Sequence, residues 1–453
     1  MDVKIEKPVR TWHGAIPAEL AERARHLAGE VAERIDDGDR VLDLIVTSAE
    51  QAEHPMGWYY PSFGQGHAGL ALLPLHAARQ AVGARREALR QSAFGLLREA
   101  FGATRAEPLD GPGVFAGMSG LALVLSEAVE AEPRFGPSLV RLHEQLAERV
   151  TSWDLPRVER GVADQHYDMI SGAAGALAYI SGVADPGERL GQAAEILVDH
   201  LIWLGGTPDD PVLPWRFLIA PEMLPEQVRD RSGYEGGYLN LGMSHGVPGV
   251  IAALAGAWRA GLRRPGHEEV LREMTRWVLE VRKNDSHGPL WTGDVPVGIP
   301  PARTGDTVLR DQLAWCYGTA GVSAALLTVA DALGDDEVRT VAVEGYEAVL
   351  QRTREFPVLS PTLCHGLAGL LVICLEFAAT TNSELAREFV PVLLAEVMDY
   401  AAPDRPLVFA DEDRPGNLVD SPSLLNGAPG VALSLLAATA QRRPAWFRAF
   451  LAR

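Results

Sequence analysis

The stretch "LAWCYGTAGVSAALL", Leu313 to Leu327, sets a cysteine between two aromatic residues, directly before a Gly-x-x-Gly pair and an apolar run. The same turn-and-run unit recurs along the chain. It reads "GHAGLALL" from Gly66, "GMSGLALVL" from Gly117, "GAAGALAYI" from Gly172, "GVPGVIAAL" from Gly246, "GTAGVSAALL" from Gly318, "GLAGLLVICL" from Gly366 and "GAPGVALSLL" from Gly427. Successive first glycines lie 51, 55, 74, 72, 48 and 61 residues apart. Recurrence at such periods marks a repeat architecture.

Each unit reads as a helical hairpin. The segment after each glycine pair is almost wholly apolar, so its helix must be buried on nearly all sides. Between these segments lie amphipathic stretches such as "SLVRLHEQLAERV" (138–150) and "EVLREMTRWVLEVRK" (269–283), which read as partly exposed helices. An open solenoid needs polar capping repeats at its ends. The seventh repeat here is as apolar as the middle ones. The expected fold is therefore all-α: an α/α toroid of seven helical hairpins, with an inner ring of apolar helices inside an outer ring. Residues 1–453 are expected to form one such domain. Its main irregularity is the Pro-, Gly- and Asp-rich insertion 205–241 before the fourth inner helix, and a second irregular stretch covers 286–306.

Composition narrows the function classes. The 453 residues carry a net charge of −19, which argues against a protein that grips nucleic acid through phosphates. No apolar segment approaches the roughly 20 residues of a membrane span. The start, "MDVKIEKPVRTW", has no apolar core of a signal peptide. Three scattered cysteines do not make a disulfide framework and point to a reducing, cytoplasmic setting.

If all seven turns begin inner helices, the residues just before them converge on one opening. Those residues are Gln65, Ala116, Ser171, His245, Tyr317, His365 and Asn426. Cys316 in "WCYG", with Cys364 and His365 in "LCHG", brings two thiols and an imidazole to equivalent positions of adjacent repeats. These are zinc ligands in kind. Three ligands leave an open fourth position. A zinc already bound by two thiolates suits thiol alkylation better than hydrolysis, because a bound thiolate stays nucleophilic. Cys374, mid-run in "LLVICLEF", reads as a small buried hydrophobe. His245 and Asp168, the latter in "HYDMISGAAG", suit acid–base work at the same opening. The competing readings are a core histidine and a helix-capping aspartate. His67 and His166 read as structural.

Taken together, "WCYG", "CHG", "NLGMSHGVPG" and "YDMISGAAG" on a seven-fold helical repeat resemble the lanthionine synthetase C-like (LanC) cyclases, over nearly the whole chain. The segment "WRFLIAPEMLPEQVRDRSGYEGGYLNLG" resembles the one that precedes the family's histidine motif. The resemblance implies Zn²⁺ held by Cys316, Cys364 and His365, acid–base work by His245, and an active-site role for Asp168. The family also places an arginine shortly before WCYG. Here "RDQLAWCYG" has Arg310 displaced by two residues, with Gln312 where that arginine would align without a gap.

The implied reaction is Michael-type addition of peptide cysteine thiols to dehydroalanine or dehydrobutyrine, giving lanthionine or methyllanthionine rings. The implied partners are a dehydrated precursor peptide (leader plus core), a separate dehydratase and an export transporter, with membrane association arising only through such a biosynthetic complex. The chain has no room for a fused dehydratase and resembles the stand-alone, class I form. Other readings are a LanC-like protein that adds glutathione to dehydrated residues, a zinc prenyltransferase-type toroid, and a zinc-stabilised non-catalytic peptide-binding scaffold. The prenyltransferase type uses an Asp with a Cys and a His, so the two-cysteine set counts against it.

Overall fold

Every one of the seven apolar runs is a helix that starts at its glycine pair. Sixteen α-helices are described: α1 (Ala18–Arg34), α2 (Gly38–Gln51), α3 (His67–Gln80), α4 (Gly83–Ala103), α5 (Met118–Ala131), α6 (Gly136–Thr151), α7 (Ala173–Ile180), α8 (Gly187–Gly205), α9 (Val247–Arg259), α10 (His267–Glu280), α11 (Thr319–Leu333), α12 (Asp336–Thr353), α13 (Leu367–Thr380), α14 (Glu384–Asp399), α15 (Ala428–Thr439) and α16 (Phe447–Leu451). The structure, a computed structural model, describes residues 8–158, 161–206, 215–224, 233–297 and 312–453. Helices α3, α5, α7, α9, α11, α13 and α15 are the apolar ones, and their residues are buried almost throughout.

The glycine pairs have a steric cause. Before each helix the chain folds back, so that a carbonyl six residues upstream lies against the glycine. A Cβ at Gly321 would stand 2.3 Å from the carbonyl oxygen of Trp315, and one at Gly246 would stand 2.4 Å from that of Asn240. No side chain fits at such distances, so glycine is required for the turn itself.

The chain divides into two compact units. One comprises residues 1–109, 120–139 and 350–447, and the other residues 110–119, 140–349 and 448–453. In the second unit the pre-helix turns are stitched together by backbone hydrogen bonds in repeat order. Phe115 N–H donates to the Ile170 carbonyl at 2.9 Å, Met169 N–H to Ser244 at 3.0 Å, and Ser244 N–H to Cys316 at 3.3 Å. In the first unit Cys364 N–H donates to the Leu425 carbonyl at 3.0 Å, and Leu424 N–H to that of Gly64 at 3.2 Å. The turns of repeats two to five thus form one series, and those of six, seven and one another.

That last link matters for the architecture. Repeat seven is bonded back to repeat one, and α1 packs along α15. The N-terminal strands β1 (Val9–Thr11) and β2 (Gly14–Ile16) cover the end of α15, where Trp12 Nε1 donates to the Ala437 carbonyl at 3.0 Å. The seventh repeat is therefore not the free end that an open solenoid would present.

The irregular segments are not mere insertions. Strands β3 (Leu218–Ile219) and β4 (Tyr238–Asn240) come from the first and β7 (Asp294–Pro296) from the second, and they form one antiparallel sheet in the order β3-β4-β7. Leu239 is the register partner of both Leu218 and Val295. Two further pairs are short hairpins: β5 (Lys283–Asn284) with β6 (Pro289–Leu290), and β8 (Asp411–Arg414) with β9 (Asn417–Val419).

Candidate active site

In the second unit, three successive turns bring Asp168, His245 and Tyr317 together. Asp168 follows the short 3₁₀ helix Asp164–His166 and is buried. Its Oδ1 accepts the amides of Ser171 at 2.7 Å and Gly172 at 2.8 Å, tying the turn that starts α7. Its Oδ2 accepts from His245 Nδ1 at 2.6 Å. One oxygen thus braces the turn ahead of α7, short of the helix's own first amides, and the other holds the histidine.

His245 is half-buried. Asp164 Oδ2 lies 3.8 Å from its Nδ1, as a second, more exposed carboxylate. Burial works to lower the His245 pKa, but the hydrogen bond and charge of Asp168, helped by Asp164 and Cys316, raise it above the usual histidine value. Burial pushes the Asp168 carboxyl up, even against the opposing hold of His245. An imidazole raised in this way is a proton donor near neutral pH.

Tyr317 stands beside His245, with ring centroids 6.4 Å apart. Asn240 positions it. The Asn240 Oδ1 accepts the Gly242 amide at 2.8 Å, and its Nδ2 donates to Tyr317 Oη at 3.2 Å. Burial drives the Tyr317 pKa far up, so the phenol stays protonated. Sequence reasoning gave no role to Asp164 or Asn240 and named Tyr317 only as a junction residue. The signal available for Asn240 was its place in "NLGMSHG", five residues before the histidine.

Asp164, Asp168 and His245 offer ligand atoms that all lie within 4.8 Å of one another. Two carboxylates and an imidazole suit a divalent cation. This is a different set from the one the sequence pointed to. Here His245 Nδ1 is already hydrogen-bonded and Asp168 Oδ1 holds two amides, so the arrangement serves an acid–base pair without rearrangement.

The first unit carries Cys364 and His365. Cys364 is partly exposed and His365 half-buried. His365 Nε2 donates to Asp411 Oδ1 at 3.0 Å, and Asn426 Nδ2 lies 3.4 Å from His365 Nδ1. Gln65 Nε2 donates to Asn426 Oδ1 at 3.3 Å. The residues that precede the glycines of repeats six, seven and one are therefore linked in a row. They border a cleft of about 340 Å³ whose other wall includes Ala49, Met56 and Trp58.

Cys316, in the second unit, is buried, and its carbonyl accepts from both the amide and the hydroxyl of Ser244. Cys374 is fully buried, and its thiol donates to the Ala386 carbonyl at 3.2 Å. His67 is held by Trp58 Nε1 and Glu99, and burial lowers its pKa to about 4, which keeps it neutral. His166 stacks against Trp153, and burial lowers its pKa as well. Arg310 lies outside the described residues. Gln312, inside them, is exposed. No described helix is long and apolar enough to cross a membrane.

The chain as a whole is similar to proteins of known fold. The nisin biosynthesis protein NisC of Lactococcus lactis subsp. lactis is 24% identical over 283 residues, which span 60% of this chain and 63% of that protein. The solved structure of nisin cyclase superposes with a TM-score of 0.70 at 20% identity, covering 92% of this chain and 97% of that one. The fold is thus all-α, of the α/α toroid class that the seven repeats led us to expect. The family model for "Lanthionine synthetase C-like protein" matches residues 57–451, and the chain belongs to that family.

Proposed function

We propose that the protein is a zinc-dependent lanthipeptide cyclase that closes thioether rings on a dehydrated precursor peptide. The observation that carries the reading is the His245–Asp168 pair, at 2.6 Å, in a chain of the lanthionine synthetase C-like family. Cys316, Cys364 and His365 are the ligands that would hold zinc. Two thiols and an imidazole fit that ion in kind, and the cysteines stand at equivalent positions of consecutive repeats. When bound, the ion lowers the pKa of a substrate thiol, ordinarily about 8.5, so that thiolate is populated at neutral pH.

The chain's own residues manage the protons. Asp168 holds His245 with Nδ1–H directed at its carboxylate, which leaves Nε2 as the atom that exchanges a proton. Neutral His245 takes the proton of the incoming thiol. The sulfur then bonds to the β-carbon of the dehydroamino acid, and the double-bond electrons move onto the carbonyl as an enolate. Protonated His245 returns the proton to the α-carbon. Tyr317, fixed by Asn240, stands beside this proton donor. One S–C bond forms, one C=C is consumed, and a proton moves from sulfur to carbon. No oxidant or nucleotide is needed.

The test is incubation with a dehydrated precursor peptide that carries free cysteines. Cyclisation removes titratable thiols at constant peptide mass. His245→Ala is expected to slow it by roughly 10²- to 10⁴-fold, the usual share of general acid–base catalysis. A mass increase by glutathione, when that thiol is supplied, would replace this reading with intermolecular addition. Zinc-loaded wild type that binds the peptide and leaves its thiols intact would replace it with a binding scaffold.

A further inference from the structure

His245 is not the only rim histidine with a buried carboxylate behind it. His365 has one too, and nothing in the sequence announced it. Asp411 lies 46 residues downstream, at the start of hairpin β8–β9 and away from every glycine pair. Asp411 is 4% exposed. Burying a carboxylate is costly unless its oxygens are hydrogen-bonded. Here the bonds converge on one oxygen. His365 Nε2 donates to Oδ1 at 3.0 Å, and Ser360 Oγ donates to the same atom at 2.7 Å. Ser360 is held in turn: it accepts the Thr362 amide at 3.1 Å, and Thr362 Oγ1 lies 2.8 Å from its hydroxyl. The relay is rooted in the turn that carries Cys364 and His365.

We propose that Asp411, backed by Ser360, is the positioning residue for His365. It pins the proton on Nε2, fixes the ring, and so makes Nδ1 the lone-pair nitrogen offered to a metal ion. A negative charge behind the ring also makes that nitrogen a better donor. The proposal rests on the zinc reading given above. A hairpin that only needed a polar anchor would be served by any hydrogen-bond acceptor. A ligand histidine needs one tautomer and one orientation.

The test uses the full chain, with Zn²⁺ itself as the probe. Affinity is measured by competition with a chromogenic chelator, and the His365 ring nitrogens are followed by ¹⁵N chemical shift in metal-free protein. Wild type is expected to show the Nε2–H tautomer. Asp411→Ala is expected to mix the tautomers and weaken zinc binding by about 10- to 100-fold. Asp411→Asn keeps an acceptor oxygen, so it should retain the tautomer and recover part of the affinity. Ser360→Ala leaves Asp411 in place and guards against misfolding of the Asp411→Ala variant. It should loosen zinc binding in the same direction, by less. Wild-type affinity and an unchanged tautomer in both Asp411→Ala and Ser360→Ala would overturn the proposal while leaving the zinc site standing. Wild type that binds no zinc would overturn the zinc reading and this proposal with it.

Discussion

Asp168 grips His245 with one carboxylate oxygen and its own turn with the other: Oδ2 lies 2.6 Å from His245 Nδ1, while Oδ1 accepts the amides of Ser171 and Gly172. The two duties can be separated by mutation. Asp168→Asn keeps an oxygen for the amides and removes the charge that raises the His245 pKa. The histidine should then titrate lower, and cyclisation should fall by about 10²-fold or more, with the loss growing as pH rises past the lowered pKa. Asp168→Ala loses both duties and should in addition lose about 1–3 kcal/mol of stability, because the two turn amides lose their acceptor. Ring NMR titration together with rate–pH profiles checks both. An unshifted His245 in Asp168→Asn would show that the carboxylate does not set its pKa.

Acid should destabilise the fold through Glu127. This carboxylate is 2% exposed. Burial alone would raise its pKa, but His76 at 3.1 Å and Arg79 at 2.7 Å bring it down to about 2. A carboxyl whose folded pKa lies below its unfolded value contributes stability above the unfolded pKa, near 4.5, and loses it as pH falls toward 2. The contribution at neutral pH is on the order of 3 kcal/mol. Urea midpoints measured from pH 6 to pH 2 should fall across that window. Glu127→Gln should be less stable at pH 6 and flatter below it.

Much of this protein was legible because its key features are local. A carbonyl packed on a glycine six residues later leaves a fixed mark in the sequence, and an all-round apolar helix leaves another. Seven copies gave the repeat, and their register gave the polar residues at the rim, His245 and His365 among them. What did not show depends on pairing across distance. Asp411 reaches His365 from a hairpin with no repeat signature. Asn240 reaches Tyr317 across 77 residues. The sheet that orders Asn240 is assembled from two segments that looked like loops, since strands of two or three residues carry no period to read. The helices α1 and α2 precede the first repeat and lie outside its pattern.

Glycines at the site and on the scaffold should respond in opposite directions. A Cβ at Gly242 would meet the Tyr317 ring at 2.6 Å and the Cys316 carbonyl at 2.8 Å. Gly242→Ala is therefore expected to cost about 1–3 kcal/mol through overpacking and to displace the tyrosine. A Cβ at Gly95, inside α4, would meet only the tip of Arg98 at 3.9 Å. Gly95→Ala should add about 0.5–1 kcal/mol by favouring the helix, and should leave cyclisation unchanged. Thermal melts of the two variants, with rates at saturating peptide, distinguish local crowding from a general effect of losing glycine.

Metal content decides the ligand set. The three thiols sit in contrasting places: Cys316 and Cys364 at turns before inner helices, and Cys374 in the middle of α13 with its thiol given to the Ala386 carbonyl. If the turn positions gather the ion, Cys316→Ala, Cys364→Ala and His365→Ala should each fall well below one zinc per chain after dialysis. Cys374→Ala should keep its zinc and lose only stability, about 1–2 kcal/mol for a small core truncation. The alternative donor set of Asp164, Asp168 and His245 makes the reverse prediction, since Asp164→Ala and His245→Ala would then shed the ion while the cysteine variants retained it. Zinc binding by thiolates also releases protons, whereas carboxylates at neutral pH have none to give. The proton count on titration with Zn²⁺ therefore separates the two sets independently of mutagenesis: close to two protons per ion for the cysteine site, and at most one, from His245, for the carboxylate one.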